Sequence, residues 1–147
     1  MSRDLLPDRP VNIAVLMREA FATLNDVVVR RLASRGHEAV RTAHGAVFQF
    51  VDDSGTTVST LAERAAITKQ AMADLVAHLE EHGYVTRVPD PTDRRAKLVL
   101  VTDLGREVLH IAKATVPEIE ARVGELIGER RLKQLRSDLR AIVNETW

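Results

Sequence analysis

The 147-residue sequence contains no cysteine, so disulfides, thiolate metal sites, catalytic thiols and thiol-based redox sensing are excluded by residue chemistry. Aromatic residues are only 3% of the chain, which leaves the core to Val, Leu, Ile and Ala and suits packed helices with one small sheet. An excess of one charge is also missing. Lys and Arg number 21 and Asp and Glu number 21, so any affinity for nucleic acid must come from where the basic groups sit, not from their sum. No stretch approaches the roughly 18 apolar residues of a membrane span. The opening run Met1 to Pro10 has acids and prolines where a secretory leader needs an apolar segment. A cytoplasmic location with no membrane partner is expected. The remainder, 45% apolar and 29% charged, is the mixture of one folded domain and not of a disordered chain.

Helical periodicity opens and closes the sequence. Pro10 fits the first turn of a helix in which Ile13, Met17, Phe21, Leu24, Val28 and Leu32 recur at spacings of four and three until Gly36. Val15, Leu16, Val27 and Val29 widen its apolar face beyond one stripe, so a second chain is expected to cover it. A shorter helix is predicted from about Ala43 to Val51, with Thr42 as its N-cap and Val40, His44, Val47, Phe48 and Val51 on one side. Near the far end, Thr102 caps a helix carrying Leu104, Val108, Ile111, Thr115, Ile119, Val123 and Leu126, with a kink expected at Pro117. After Gly128, Leu132, Leu135, Leu139, Ile142 and Val143 form a last amphipathic helix. No repeat or low-complexity linker divides the chain. It reads as a single domain, 1–147, with assembly helices at 10–36 and 103–147 flanking a middle region at 42–102.

That middle region carries the chemistry. A short helix through Val58 to Ala65, a turn at Ala66 and Ile67, and a helix capped by Thr68 and running from Lys69 to His82 make a helix-turn-helix. Ala62, Ala65, Ala66 and Ala71 permit close approach, and Leu61, Ile67, Met72, Leu75, Val76 and Leu79 supply the interior. Tyr84 to Val88 and Lys97 to Val101 then read as two strands joined by a long polar loop, Pro89 to Ala96. An arginine-tipped hairpin after a helix-turn-helix is what a wing needs to reach along a phosphate backbone or into a minor groove. The fold class is therefore mainly α with a small β-hairpin, a winged helix-turn-helix between terminal dimerisation helices.

The motifs Leu61-Ala-Glu-Arg64, Thr68-Lys-Gln-Ala-Met72, Leu79-Glu-Glu-His-Gly-Tyr-Val85, Asp90-Pro-Thr-Asp-Arg-Arg-Ala96 and Leu98-Val-Leu-Val-Thr-Asp-Leu-Gly105 resemble the MarR (multiple antibiotic resistance regulator) family. The resemblance implies a homodimeric, sequence-specific DNA-binding transcriptional regulator, often a repressor, acting on a palindromic operator. It also implies a small ligand bound between the dimerisation and DNA-binding regions. On this reading Thr68, Lys69 and Gln70 open the recognition helix, and Gln70 is the candidate base reader because its amide can bond adenine through both donor and acceptor. Arg94 goes to the DNA, with a minor groove as its target. Asp93 and Arg95 form a local ion pair that shapes the loop, and Arg87 and Lys97 meet phosphates at the base of the hairpin. Asp74 stands where the family often has a basic residue and is expected to pair with Lys69 or Arg64.

Three other readings bear on the same residues. An enzyme finds no nucleophile elbow and no metalloprotease spacing here. His78 and His82 share a helix face at a spacing that can hold a metal, but with no third ligand type evident they read as two exposed histidines, and neither metal nor cofactor is expected. A winged helix that binds protein and not DNA is compatible with the neutral charge. For the effector, Arg18, Phe21, Arg41, His44 and Phe48 are candidate pocket residues for an aromatic or anionic ligand. The competing account is a filled core in which His44 is hydrogen-bonded.

Overall fold

The computed structural model describes residues 11–147. The expected helix start at Pro10 lies outside them. Helix α1, Ile13–Ser34, begins instead at Asn12, whose side chain accepts from the Val15 amide at 3.0 Å. A single 3₁₀ turn, Thr42–His44, leads into α2, Gly45–Phe50. Thr42 is not the N-cap that the sequence suggests. The segment enters from extended Arg41, whose amide donates to His44 Nδ1 at 2.9 Å, so an imidazole satisfies the open amide in place of a hydroxyl.

Strand β1, Thr56–Thr57, precedes α3, Val58–Ala65, which Thr57 caps by accepting from the Thr60 amide. Helix α4, Lys69–Glu81, is capped by Thr68 through the Ala71 amide. Between the two helices Ala66 adopts a left-handed conformation, φ 54° and ψ 40°, while the Ala66 and Ile67 amides bond back to Glu63 and Ala62. This is how a three-residue turn closes one helix and launches the next. Strands β2, Val85–Asp90, and β3, Asp93–Val101, complete a three-stranded antiparallel sheet in the order β1-β3-β2. Two features of this sheet depart from the sequence reading. The two-residue β1 pairs Thr56 with Val99 and was not anticipated; it is too short for any period to show. The loop Pro89 to Ala96 is not a long loop, because the strands extend to Asp90 and Asp93 and leave Pro91 and Thr92 at the turn. Strand pairing at a solvated tip needs backbone bonds only, so polar residues there hide the strand.

Helix α5, Asp103–Ile127, starts at Thr102 and continues through Pro117. Helix α6, Glu129–Asn144, follows Gly128. A bidentate pair from Arg31 to Glu118, with its shorter contact 2.6 Å, ties α1 to α5. The core lies under the middle region: Val47, Leu61, Met72, Val76, Leu79 and Val99 are fully buried. At its edge His37 and Tyr84 meet, Nδ1 to hydroxyl, at 2.9 Å, joining the end of α1 to the start of β2. Thr102 Oγ1 donates to the Gly83 carbonyl and accepts from the Gly105 amide. This hydroxyl fastens the start of α5 to the end of the recognition helix. No described helix is long and apolar enough to cross a membrane.

Candidate nucleic-acid interface and ligand cleft

The first turn of α4 presents Thr68, Lys69 and Gln70 to solvent beside open helix amides, a position suited to base edges and phosphates. Gln70 is not free to rotate. Its Nε2 donates to Asp74 Oδ1 at 2.9 Å, one turn later. Asp74 therefore pairs with neither Lys69 nor Arg64, correcting the sequence expectation. Arg64 turns the other way and donates to the Phe50 carbonyl at 2.7 Å and to Asp52 at 3.0 Å. With one amide hydrogen held, exposed Gln70 keeps a second hydrogen and its carbonyl oxygen as a donor and an acceptor. The contact between Asp74 and Gln70 is one that sequence reasoning missed. The spacing of four between Gln70 and Asp74 was a signal for it.

The wing has a shaped tip. Asp90 Oδ1 accepts from the Thr92 amide and hydroxyl at 2.9 and 2.8 Å, and these bonds hold the Asp90 carboxyl below the usual carboxylate range. Asp93 accepts from the Arg95 amide at 2.9 Å. That is a backbone bond, so the anticipated ion pair between the Asp93 and Arg95 side chains is not formed. The cross-strand register jumps between Pro89, opposite Lys97, and Asp90, opposite Asp93. Arg94, Arg95 and Ala96 consequently have no partner across the ladder and bulge from it, a device that re-aims side chains. Arg94, Arg95 and Lys97 are exposed, and among the described residues no ion pair holds them. Arg87 differs from them: it is partly buried, 3.5 Å from Glu80 on α4, and its Nε has no hydrogen-bond partner. It braces the wing against the recognition helix and is not free at the rim.

Behind α4 opens a cleft of about 860 Å³ between α1, α2, α4 and α5. Phe21, Phe48 and Phe50 give it an aromatic wall, Arg41 supplies a cation, and Asp74 reaches it from the recognition helix. Phe21, Arg41 and Phe48 stand where the sequence reading placed them. Arg18 and His44 do not line the cleft. His44 is buried next to it, stacked on His78 with ring centroids 4.8 Å apart. Burial, together with His78 and Arg41 nearby, pushes the His44 imidazole down to about 4, so it stays neutral and accepts from Arg41. The filled-core account holds for His44 but not for its surroundings. Phe50, an apolar residue at the end of a short helix, gave no sequence signal of its own.

Residues 40–96 match the model of the MarR family. The transcriptional activatory protein BadR of Rhodopseudomonas palustris is 36% identical over 76 residues, 52% of this chain and 42% of BadR. The chain thus spans less than half of that relative's length. The transcriptional regulator HosA of Escherichia coli O111:H- is 28% identical over 126 residues, covering 84% of this chain and 87% of HosA. Among solved structures, CouR from Rhodococcus jostii RHA1 bound to p-coumaroyl-CoA superposes with a TM-score of 0.69 at 28% identity, covering 99% of each chain. BadR is thus a transcriptional activatory protein and HosA a transcriptional regulator.

Proposed function

Residues 40–96 belong to the MarR family, and from that premise we propose that the chain is a homodimeric regulator of transcription that grips a two-fold-symmetric DNA site with paired recognition helices and wings. One observation carries this reading: the exposed Lys69 and Gln70 at the start of α4 stand with a wing whose Arg94, Arg95 and Lys97 are exposed and free of ion pairs. Gln70, oriented by Asp74, reads a base edge in the major groove. Lys69 and Lys97 meet phosphates, and Arg94, lifted out of the ladder by the bulge, enters the adjacent minor groove. Arg87 acts through Glu80 to set the angle of the wing.

Dimerisation falls to the terminal helices. Leu126, Val143 and Trp147 are more than four-fifths or nearly four-fifths exposed, and no residue of α6 is buried. Apolar faces left open to this extent on a single chain mark an interaction surface. Two chains joined there let two modest half-site contacts add, which suits a chain of zero net charge. The 1–147 chain then works as one unit, with 42–102 on the DNA and 10–36 and 103–147 at the partner.

The cleft is the effector site. Its aromatic wall and Arg41 fit an aromatic carboxylate or a thioester of one, the class to which the ligand of CouR belongs. Asp74 lines the cleft and also holds Gln70. A ligand that draws Asp74 away releases the base-reading amide, so effector and operator compete through one hydrogen bond. Release of DNA by effector makes the protein a repressor where its operator overlaps a promoter.

The test is selection of bound fragments from a random DNA pool, then titration of the selected site against salt with wild type and Arg94→Ala. A palindromic site is expected, with affinity falling steeply as salt rises and the salt slope smaller by about 1 in the variant. Absence of any enriched sequence, with salt-insensitive binding of a protein partner, would assign the winged helix to protein recognition.

A further inference from the structure

At the end of α4 away from Lys69, the last turn gathers His78, Glu81 and His82. One ligand atom from each lies within 4.8 Å of the other two. We propose that these three side chains form a binding site for a borderline divalent transition metal, for which Zn²⁺ is the reference ion.

The hydrogen bonds around the two imidazoles support this assignment more than their spacing does. His78 Nε2 lies 3.2 Å from the Ala39 carbonyl, and His82 Nδ1 lies 2.9 Å from the His78 carbonyl. A carbonyl only accepts, so each of these ring nitrogens carries the proton and the other nitrogen of each ring keeps its lone pair. A ring nitrogen donating to a backbone carbonyl is the usual outer support of a metal-bound histidine, fixing its tautomer and orientation. His78 is further held between His44, stacked at 4.8 Å, and His82, at 4.5 Å.

The ligands differ in mobility. His78 is partly buried and anchored, whereas Glu81 and His82 are exposed. Tetrahedral coordination at about 2.0 to 2.2 Å brings ligand atoms to roughly 3.3 Å from one another. Closing from 4.8 Å to that spacing requires side-chain rotation, which the exposed Glu81 and His82 are placed to supply. Two imidazoles and a carboxylate suit Zn²⁺, Co²⁺ or Ni²⁺ better than Mg²⁺ or Ca²⁺, which prefer oxygen. Three protein ligands leave a fourth position to water. A bound ion cross-links one turn of α4 to itself, and through the Ala39 bond it steadies that turn against the connection between α1 and α2.

The experiment is a competition titration of the full chain with Zn²⁺ against a chromophoric chelator at pH 7.5. One Zn²⁺ per chain is expected at micromolar free metal. His82→Ala and Glu81→Gln, both at exposed positions, should each weaken binding roughly tenfold or more, while His110→Ala, at an exposed position on α5, leaves it unchanged. Metal in excess should also raise the Tm of the wild type by a few degrees and that of His82→Ala by less. Failure of the wild type to compete with the chelator, or unchanged affinity in both His82→Ala and Glu81→Gln, would overturn the site. Neither result bears on DNA recognition, which Arg94→Ala tests separately.

Discussion

The winged helix and the terminal helices are built from similar residues, yet they solve the burial problem differently. In the winged helix, Leu61, Met72, Val76, Leu79 and Val99 lie at zero exposure around a three-stranded sheet. Layers of helix and sheet close on each other there, so one chain suffices. In α6, by contrast, Leu135, Leu139, Ile142 and Val143 all remain exposed, and no residue is buried. A lone helix packed along one edge of α5 can cover only part of its apolar stripe. The difference separates a region whose apolar residues are buried within the chain from one whose apolar stripe stays uncovered.

The largest effect should come from breaking the second region alone. Leu135→Lys combined with Leu139→Lys is expected to halve the particle mass in light scattering, keep the helical circular dichroism, and lower operator affinity roughly a hundredfold. A dimer of undiminished stability would remove α6 from the assembly surface. A smaller effect, felt in both regions, is expected at their joint. A Cβ on Gly105 would overlap the Tyr84 carbonyl oxygen and come within 2.6 Å of Val101 Cγ1. Gly105→Ala should therefore cost about 3 kcal/mol in chemical denaturation, at the upper end of overpacking effects; a cost below about 1 kcal/mol would show that α5 can slide on the sheet.

The smallest effect is confined to the winged helix and appears with pH. His44 is held at about 4 when folded, against an ordinary value of 6.5. Between these values the unfolded chain binds a proton that the folded chain does not, so stability falls as pH drops from about 6.5 toward 4 and this contribution levels off below. His44→Gln should flatten that part of the profile measured by thermal unfolding. Parallel curves for variant and wild type would place the acid sensitivity elsewhere.

Much of the fold was legible in the residues. Thr57, Thr68 and Thr102 each precede a helix and cap it as their hydroxyls suggest. The apolar spacing along α1, α5 and α6 set their extents to within a few residues. At the site, Lys69, Gln70 and Arg94 stand out because loop and helix-start positions carry recognisable chemistry. Less was legible where a contact depends on geometry between elements. Thr42 looks like a cap, but the turn begins one residue earlier, at Arg41, whose own amide donates to His44 Nδ1. Arg87 looks like a rim cation, but β2 turns it onto Glu80. Asp93 and Arg95 look like a side-chain ion pair, but the carboxylate finds the nearer amide.

By itself, then, the sequence determined the order of the helices and of the two wing strands, the absence of thiol chemistry, and a basic wing following a helix-turn-helix, because periodicity, capping and residue chemistry are local properties. Only the tertiary structure decided that the polar run Asp93 to Ala96 lies in a strand, that Asp74 both holds Gln70 and lines the cleft, and that His44 lies behind the cleft wall while Phe50 lines it. Each of these depends on which distant backbone and side chains arrive at the same place. That placement follows from burying the shared core as a whole, and no window of neighbouring residues contains it.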